Sequence, residues 1–387
     1  MRVLALSHSA VVSAYREKFR RLAARKGWDL HLVLPHAWPE GGKDVAAPGV
    51  GREGKLQVHV LPGRLRGRVG FATLAGLGAL VAELKPQLIY VEEEPYSLGA
   101  WQALRAAKKV GARLVFYTWE NMDRRYKPPL NWVRRQVLGA AVAGVVGNEE
   151  GAGLLGGWGY ERPLLVQPQY GIDTKHFKVS AKQKRPLRRA QGRHLRQAQG
   201  RHLRQVQGRP FTVGYFGRLV PEKGVDLLLQ AAHLAKLPVR IGGQGPEERA
   251  LRLQCDALGV DAQFEGFVPF EKRASFYAGI DALALPSRSQ GSWKEQFGRV
   301  LAEAMACGVP CVGSDSGAIP EVIGDAGLVF KEGDAADLAA CLKKLAADGR
   351  LRARLSKASR DRAVKKFDEQ ALVAELGIFL EKAAYGD

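Results

Sequence analysis

Two cations and two carboxylates in the second half of the sequence have the types and spacing of a ligand site. The segment 217–224 (GRLVPEKG) places Arg218 and Lys223 just after an apolar run that predicts a strand. The segment 295–303 (EQFGRVLAE) places Glu295 at the entry of a predicted apolar helix and Glu303 about two turns further on. Arginine and lysine can hold a diphosphate, and a carboxylate can accept hydrogen bonds from vicinal hydroxyls. Together these side chains could bind a ligand that carries a diphosphate and sugar hydroxyls.

Arg218 and Lys223 are the predicted source of positive charge for such a site. When a diphosphate leaves during group transfer, its growing charge must be stabilised by a divalent metal or by fixed cations. The sequence contains no Asp-x-Asp pair, so we expect the two side chains to act as catalytic cations, with no metal and no cofactor. Gly217 would let the backbone approach a phosphate. The alternative is that both are ordinary surface cations beside a turn.

The two glutamates have functional and structural interpretations. Glu295 follows a polar loop, and we expect its carboxylate to face a cleft. Glu303 lies in the apolar stretch 300–306, which favours a functional carboxylate over a solvated one. The structural alternative is an ion pair with Arg299 four residues earlier, which would contribute only a few tenths of a kcal/mol, roughly 0.2–0.5.

Two weaker signals lie elsewhere. Gly242 and Gly245 belong to GGQGP (242–246), which follows a predicted strand and resembles a nucleotide-binding turn, although one glycine-rich turn is a weak signal. His8 lies in a predicted strand-to-helix loop where a ligand could reach it, and a solvated or capping side chain is an equal alternative.

The elements that would position these residues follow an α/β pattern. A chain of 387 residues fits two domains. Short apolar strands alternate with helical stretches in both halves, which predicts two parallel sheets, each covered by helices on both faces, with the ligand at the strand ends. The predicted strands are 3–7, 28–35, 56–61, 88–91, 114–118, 144–147, 211–216, 239–242, 263–267, 282–286 and 309–313. The main predicted helical stretches are 14–26, 225–236 and 334–385.

The predicted domains are Rossmann-like regions at 1–176 and 211–365, followed by a helical segment at 366–387 that could pack back on the first domain. The linker 177–210 contains a period-eight repeat, RRAQGRHL-RQAQGRHL-RQVQGR. Because this repeat is highly charged and nearly free of apolar groups, it is predicted to be disordered. We favour an inert insertion over a polybasic arm, since no aromatic residue interleaves the arginines, and a nucleic-acid partner is accordingly disfavoured.

The charge is uneven: of the net +20, residues 1–180 carry +11, residues 181–209 carry +10 and the remainder −1. The first predicted helix is especially basic, which suits an anionic membrane surface, although a solvated exterior is an equal alternative. Its basic residues include Arg16, Lys18, Arg20, Arg21 and Arg25. The N-terminus resembles a short strand rather than a signal peptide, and no apolar run is long enough to span a bilayer. The four cysteines are poorly spaced for zinc and indicate a reducing compartment. A cytoplasmic protein, either soluble or peripheral on the inner face of the membrane, is expected.

Five segments in the second half resemble those of a known family. GRLVPEKG (217–224), GGQGP (242–246), EGF (265–267), PS (286–287) and EQFGRVLAEAMACGVP (295–310) occur in the order found in retaining GT-B glycosyltransferases, the large "group 1" or family-four-like type. The resemblance covers nearly all of 211–330. It is looser over 1–176, where the strand–helix rhythm and GIDTKHF (171–177) agree. It implies the GT-B fold, with two Rossmann-like domains facing a central cleft.

The resemblance also implies how a nucleotide diphosphate-sugar donor is bound. Arg218 and Lys223 would hold the diphosphate, Glu303 the ribose, and Glu295 the hydroxyls of the transferred sugar. The family is metal-independent and keeps the anomeric configuration, and the donor phosphate assists deprotonation of the acceptor. The remaining implied donor-site residues are Gly217, Gly242, Gly245, Phe267 beside the base, and Phe297 and Gly298 through their backbone amides.

The first domain would bind the acceptor, and here the sequence departs from the family. SHSAV (7–11) replaces the usual glycine-rich loop after the first strand, and no histidine follows strand 114–118. His8, Glu120 and Asn121 are therefore the candidates for the acceptor side. The acceptor itself, whether a glycan, a lipid-linked group or a small molecule, stays open.

The sequence thus predicts a metal-independent hexosyltransferase that contributes to cell-envelope polysaccharide or glycolipid synthesis. One alternative is a synthase of the same fold that joins a sugar to a sugar phosphate, for which a cationic acceptor pocket would be diagnostic. Another is a non-catalytic protein that binds nucleotide-sugars or nucleic acid.

Overall fold

The computed structural model describes residues 1–40, 43–178, 210–291 and 293–386. The chain divides into two compact units. The N-terminal unit comprises Met1–Gly171 and Phe367–Asp387, and the C-terminal unit comprises Ile172–Lys366. The basic repeat lies outside the described residues, which therefore do not test the prediction that it is disordered.

The N-terminal unit is built on a largely parallel sheet. Its strands are β1 (Arg2–Leu6), β2 (Asp29–Pro35), β3 (Ala37–Glu40), β4 (Lys43–Ala46), β5 (Gly51–Glu53), β6 (Leu56–Leu61), β7 (Gly63–Arg64), β8 (Thr73–Leu74), β9 (Leu88–Val91), β10 (Arg113–Thr118), β11 (Ala143–Val146) and β12 (Leu164–Val166). Within the described residues, the main sheet has the order β12-β11-β10-β9-β1-β2-β6-β5. Only β5 runs antiparallel to its neighbour there. The pairs β3–β4 and β7–β8 form separate two-stranded ribbons.

Helices cover both faces of this sheet. They are α1 (Glu17–Ala23), α2 (Leu77–Leu84), α3 (Leu98–Val110), α4 (Leu130–Ala140), α5 (Glu149–Gly157) and, from the end of the chain, α13 (Glu369–Tyr385). Side chains of β1 alternate between two cores: Leu4 packs with α2, α3 and α4, and Val3 packs with α1 and α13. Burial on both faces explains why the central strands are continuous apolar runs.

The C-terminal unit repeats the arrangement with a parallel sheet. Its strands are β13 (Val213–Phe216), β14 (Val239–Gly242), β15 (Ala262–Gly266), β16 (Ala282–Leu285), β17 (Cys311–Ser314) and β18 (Gly327–Phe330). Its helices are α6 (Val225–Ala235), α7 (Glu248–Leu258), α8 (Phe270–Ala278), α9 (Arg299–Ala306), α10 (Ile319–Ile323), α11 (Ala335–Ala347) and α12 (Gly349–Lys366). The strands are ordered β15-β14-β13-β16-β17-β18 across the sheet. From β13 the chain first adds strands on one side and then, from β16, on the other, so the strand order reverses between β13 and β16. In such sheets, ligands bind beyond the carboxyl ends of the strands at this reversal.

The α/β fold class predicted from the strand–helix alternation is confirmed. The predicted helix 14–26 is shorter, because Ser13–Arg16 forms a 3₁₀ turn before α1. The predicted strand 309–313 begins two residues later, at Cys311. All four cysteines are free thiols. In the part of the chain that the structure describes, no helix combines the length and apolarity needed to cross a membrane.

The basic residues of the first predicted helix are engaged inside the N-terminal unit. Lys18 is buried in an ion pair with Glu92. The four arginines pair with glutamates in the same unit: Arg16 and Arg20 with Glu53, Arg21 with Glu17, and Arg25 with Glu381. Ion pairing within the unit thus reduces the free charge that this helix offers, and its proposed contact with an anionic membrane stays a prediction.

Candidate functional site

The loops that follow β13 and β14 pack against each other through their backbones. The Gly217 amide donates to the Gly242 carbonyl over 2.9 Å, and the Leu219 amide donates to the Gln244 carbonyl over the same distance. A Cβ atom on Gly245 would lie 2.2 Å from the Leu219 carbonyl oxygen. Glycine is therefore required at this close approach, and both loops are held at the carboxyl ends of the central strands.

Lys223 and Glu295 form an ion pair at these strand ends. Lys223 Nζ lies 2.5 Å from Glu295 Oε2, and Ser287 Oγ donates to the same oxygen over 2.9 Å. Glu295 is buried, and the Lys223 ammonium lies 4.8 Å from the centre of the Trp293 ring. Glu295 and Trp293 therefore hold the ammonium in place. Because an ammonium has three protons to donate, it can also donate to a ligand.

Arg218 has a different environment. Its side chain is 67% exposed, and its guanidinium lies 3.9 Å from Glu222, four residues later. Tyr215 Oη donates to the Arg218 carbonyl over 2.7 Å, so the backbone of this residue is fixed by a buried ring. The structure thus places an exposed, permanently charged guanidinium on a fixed backbone, which suits phosphate binding.

The apolar helix predicted after Glu295 is α9, which begins at Arg299. Glu295 and Phe297 lie in the loop before α9, and Gly298 is the N-cap with φ of +67°. Only glycine adopts this left-handed conformation readily. A Cβ atom there would also lie 2.9 Å from the Leu285 side chain. Gly298 therefore allows the loop to turn directly into the helix behind Glu295.

Glu303 lies at the centre of a buried hydrogen-bond network and is 1% exposed. Its Oε2 accepts from Tyr277 Oη over 2.9 Å. Its Oε1 accepts from Arg299 over 3.1 Å and from Arg273 over 3.4 Å. Burial raises the pKa of Tyr277 well above its usual value, so the phenol stays a donor. The Arg299 pair raised as the structural alternative is present, and ribose binding by Glu303 stays a prediction.

Phe267 follows β15 with its ring 68% exposed. It borders an open recess that also contains Lys272 and the Arg240–Glu265 ion pair. An exposed aromatic ring at a strand end can stack on a base.

The predicted donor residues fall into three groups in this unit. Gly217, Gly242 and Gly245 lie in the packed loops, and Lys223 and Glu295 form the ion pair. The third group consists of residues with separate surroundings: Arg218, Glu303 and Phe267. Among the described residues, no group of three or more His, Cys, Asp and Glu side chains could hold a metal ion.

In the N-terminal unit, His8 is paired with a carboxylate that sequence reasoning missed. His8 Nδ1 lies 2.8 and 2.7 Å from the two carboxylate oxygens of Glu93. The His8 ring packs at a tilt of 32° against Trp38, with 4.3 Å between ring centres. Burial alone would lower the pKa of His8, but the charge and hydrogen bond of Glu93, helped by Glu92 and Glu94, outweigh burial and raise it.

Glu120 and Asn121, the other predicted acceptor residues, are both buried after β10. Glu120 accepts a hydrogen bond from Tyr126 Oη over 2.6 Å. Burial raises the pKa of Glu120. Asn121 Nδ2 donates to Glu150 over 3.2 Å. Both side chains therefore help to order the segment that follows β10.

The run Glu92-Glu93-Glu94 is the main functional candidate that the sequence interpretation overlooked. It follows β9 directly, and all three carboxylates point into the unit: Glu92 to Lys18, Glu93 to His8, and Glu94 to Thr118 Oγ1 over 2.5 Å. Burial raises the pKa of Glu94 to about 7. Three acids directly after an apolar strand were a visible signal, because charges at the ends of buried parallel strands are unusual outside sites.

Comparison with known proteins identifies the class. Residues 201–362 match the model of the family described as Glycosyl transferases group 1. This part of the chain is similar to that family, in agreement with the resemblance carried by the motifs.

Relatives agree over the same part of the chain. A GDP-mannose-dependent alpha-(1-6)-phosphatidylinositol monomannoside mannosyltransferase of Mycolicibacterium smegmatis is 32% identical over 42% of this chain and 46% of its own length. N-acetyl-alpha-D-glucosaminyl L-malate synthase of Bacillus anthracis is 31% identical over 41% of this chain and 38% of its own length. The chain thus matches less than half the length of these curated relatives.

Solved structures match the whole chain. Sucrose-phosphate synthase from Thermosynechococcus elongatus superposes with a TM-score of 0.74 at 18% identity, covering 100% of both chains. Anabaena HepE in complex with UDP gives 0.70 at 18% identity, covering 99% of this chain and 100% of its own. At these identities the likeness shows the fold, which is GT-B.

Proposed function

We propose that this protein is a glycosyltransferase that moves a sugar from a nucleotide diphosphate-sugar to an acceptor hydroxyl. The observation that carries the proposal is the Lys223–Glu295 ion pair at the ends of the central strands, beside two glycine loops. It lies within the residues that match the glycosyltransferase family. A cation beside a hydroxyl-binding carboxylate suits a donor that carries both a diphosphate and a sugar.

The donor would be divided among the residues of the C-terminal unit. Arg218, exposed and able to reorient, would grip the phosphates as a bidentate fork. Lys223 would add a fixed point charge, because Glu295 limits its movement. Glu295 would accept hydrogen bonds from hydroxyls of the transferred sugar, while the exposed Phe267 would flank the base.

The transfer would proceed with retention of the anomeric configuration. The acceptor oxygen forms a bond to the anomeric carbon while the bond from that carbon to the donor phosphate oxygen breaks. The electron pair of the broken bond leaves with the nucleoside diphosphate, and a phosphate oxygen receives the acceptor proton. Arg218 and Lys223 stabilise the charge that builds on the leaving group, so the reaction would not require a divalent metal.

The product would be a cell-envelope polysaccharide or a glycolipid made on the cytoplasmic side of a membrane. Two relatives named for related chemistry are the phosphatidylinositol mannosyltransferase and an O-antigen chain mannosyltransferase B of Escherichia coli. Such acceptors favour a protein that reaches the membrane surface. The first helix offers little free charge for that contact, because Lys18 is buried and the neighbouring arginines are paired within the unit.

A surface on α3 and α4 supports the membrane contact better. Trp101 of α3 and Trp132 of α4 meet edge to face with 5.8 Å between ring centres, and Trp132 is exposed. The exposed Arg105 guanidinium lies 5.0 Å from the Trp101 ring, and Arg135 is exposed on α4. Tryptophan beside arginine suits the boundary between anionic headgroups and acyl chains.

The donor site is tested by thermal melting in EDTA with UDP, GDP, ADP and their sugars. The wild type is compared with Glu303→Ala and with the Arg218→Ala/Lys223→Ala double variant. We expect one nucleotide class to raise the melting temperature of the wild type and of neither variant. No shift from any nucleotide, in a protein that melts cooperatively, would contradict the proposed function. A shift that appears only when a divalent metal replaces EDTA would contradict the metal-independent mechanism.

The non-catalytic alternative is tested with the same protein. Nucleic-acid binding with a steep salt dependence, lost on deletion of residues 181–209, would favour it.

A further inference from the structure

Three arginines line one open recess of the N-terminal unit. Arg134 and Arg135 lie on α4, and Arg162 lies in the connection between α5 and β12. The recess has a volume of about 640 Å³. This far exceeds the roughly 30 Å³ that one water molecule takes in the liquid, so a small ligand can enter. Other side chains of the lining include Leu138, Trp158 and Glu161.

The Arg134 guanidinium is held in place by an aromatic ring and an amide. Its central carbon lies 3.8 Å from the centre of the Trp158 ring, and Nη2 donates to Asn131 Oδ1 over 3.0 Å. The indole is fixed in turn, because Trp158 Nε1 donates to Asp123 Oδ1 over 3.2 Å. A ring face and a neutral amide restrict the movement of the guanidinium without cancelling its charge.

Arg162 is held by backbone carbonyls at the end of α4. Its Nη1 donates to the carbonyls of Leu138 and Ala141, and its Nη2 donates to that of Gly139, each over 2.8 Å. A cation is favourable beside the free carbonyls at the end of a helix. These three bonds fix a second positive charge at the recess.

The charge of these arginines is not neutralised by ion pairs. In the part of the chain that the structure describes, no carboxylate lies within ion-pair distance of Arg134, Arg135 or Arg162. The arginines of the first helix differ, since each of them pairs with a glutamate. Among the described residues that line the recess, Glu161 is the only acid, and it is exposed. Three arginines and one glutamate give this lining a net charge of +2.

We propose that this recess binds the phosphate of an anionic lipid headgroup. Guanidinium groups bind phosphate oxygens through paired N–H donors. The inference deepens the membrane contact of the proposed function, on which it rests, because Arg135 belongs to both the recess and the α3–α4 surface. The exposed Trp132 precedes Arg135 by three residues, so the two side chains lie on the same side of α4. An acyl chain attached to the bound phosphate could therefore contact an exposed tryptophan.

The number of cations indicates which headgroup suits the recess. A phosphomonoester carries a charge of about −1.5 to −2 at neutral pH and offers three acceptor oxygens. Phosphatidic acid, whose phosphate is a monoester, therefore fits a lining with three arginines better than a lipid with a single negative charge. The proposed donor residues all belong to the C-terminal unit, so this recess is separate from the donor site.

The test titrates the full chain with dihexanoyl phosphatidic acid below its critical micelle concentration and measures binding by calorimetry. A monomeric lipid distinguishes a recess from a charged surface that attracts only bilayers, and we expect one lipid per chain. Arg134→Gln and Arg135→Gln should each weaken binding about 3- to 10-fold, the loss of one partly screened charge-assisted contact. Arg52→Gln is the matched control, because Arg52 is an exposed arginine of the same unit that does not line the recess. It should leave binding unchanged.

Glu161→Gln gives a prediction of the opposite sign. Removing the acid from the lining should strengthen lipid binding about two- to fivefold, since the repulsion between the carboxylate and the phosphate is lost. A substitution that only loosened the local packing would weaken binding instead. Thermal melting without lipid shows which variants keep the fold, and Arg162 is left intact because it also caps α4.

Two further probes identify the source of the phosphate. Glycerol 3-phosphate lacks the acyl chains, and the choline cation of dihexanoyl phosphatidylcholine offsets the phosphate charge, so both should bind at least about tenfold more weakly. Equal binding of glycerol 3-phosphate would overturn the lipid assignment.

Failure of the monomeric lipid to bind, or weaker binding by Glu161→Gln, would overturn the recess as a site. If phosphatidylglycerol vesicles still bind in that case, the α3–α4 surface acts without the recess. If the vesicles do not bind either, the proposed membrane contact fails as well. Neither result changes the test of the donor site, which uses nucleotides alone.

Discussion

Lys223 and Glu295 lie 72 residues apart in the sequence and form an ion pair with 2.5 Å between Nζ and Oε2. The pair joins the 3₁₀ turn after β13 to the loop before α9, and Ser287 after β16 donates to the same carboxylate. Three segments of the C-terminal unit are therefore fixed at one point, at the carboxyl ends of adjacent strands. The positions of the proposed phosphate-binding and sugar-binding groups thus depend on each other.

Removing either proposed phosphate ligand should weaken nucleotide binding, with different effects on stability. We expect Lys223→Met and Arg218→Ala each to weaken UDP or GDP binding about 10- to 100-fold. Binding of the nucleoside alone, which carries no phosphate, should not change. Lys223→Met leaves buried Glu295 without its cation and should cost about 1–3 kcal/mol of unfolding free energy. Arg218→Ala should cost little, because the side chain is 67% exposed.

Calorimetric titration and urea unfolding of the two variants provide these measurements. Lys331→Met, at an exposed position of the same unit, is the control and should change neither quantity. Equal destabilisation by Lys223→Met and Arg218→Ala would show that the ion pair does not position the site.

Glu303 should stabilise the C-terminal unit whether or not it binds ribose. Glu303→Ala leaves Arg273 and Arg299 without their buried carboxylate, which should cost about 3–5 kcal/mol. The control is Asp361→Ala, which breaks the exposed pair with Lys357 and should cost less than about 1 kcal/mol. A ribose contact predicts in addition that Glu303→Gln abolishes any preference for UDP over 2′,3′-dideoxy-UDP, measured by calorimetry. An unchanged preference would leave Glu303 a structural residue.

The buried Glu94 should make stability depend on pH. Its pKa is raised by burial from 4.5 to about 7 in the folded protein. The folded state therefore binds more protons than the unfolded state between these values, and stability falls as pH rises through this window. Relative to Glu94→Gln, the wild type should lose on the order of 2–3 kcal/mol across it. Urea unfolding from pH 4.5 to 8 measures the difference, and parallel curves for the two proteins would refute the raised pKa.

The α3–α4 surface should bind anionic bilayers. The double variant Trp132→Ala/Arg135→Glu should lose binding to vesicles of phosphatidylglycerol and phosphatidylcholine in a flotation assay. Lys357→Glu makes a charge change at an exposed position of α12 and is the control. Binding should weaken with added salt. If the control loses binding as much as the double variant, general charge rather than this surface attracts the protein.

The fold was largely predictable because buried parallel strands leave a clear pattern. Leu56–Leu61, Leu88–Val91 and Val239–Gly242 were predicted with their observed bounds. Short peripheral strands were not predicted: Gly51–Glu53 has three residues and no apolar run. Edge strands are paired on one side and partly solvated, so their sequence need not be apolar.

The candidate site was less predictable, because contacts between distant segments leave no periodic pattern. The motifs placed Lys223 and Glu295 in one site but did not show that they pair with each other. The Tyr277–Glu303 hydrogen bond joins α8 to α9, and spacing along the sequence does not report which helix faces meet. Glu93 was not predicted, although its run of acids follows an apolar strand, because the family pattern places its histidine after strand 114–118 and so indicated Glu120 and Asn121.

The central claim is tested most directly by following donor and product with NMR in the presence of EDTA. The full chain is incubated with UDP-glucose or GDP-mannose and octyl glucoside, beside the Arg218→Ala/Lys223→Ala variant. The account predicts release of the nucleoside diphosphate, a product with the anomeric configuration of the donor, and no reaction by the variant. An active wild type with an equally active variant, or a product of inverted configuration, would contradict the account.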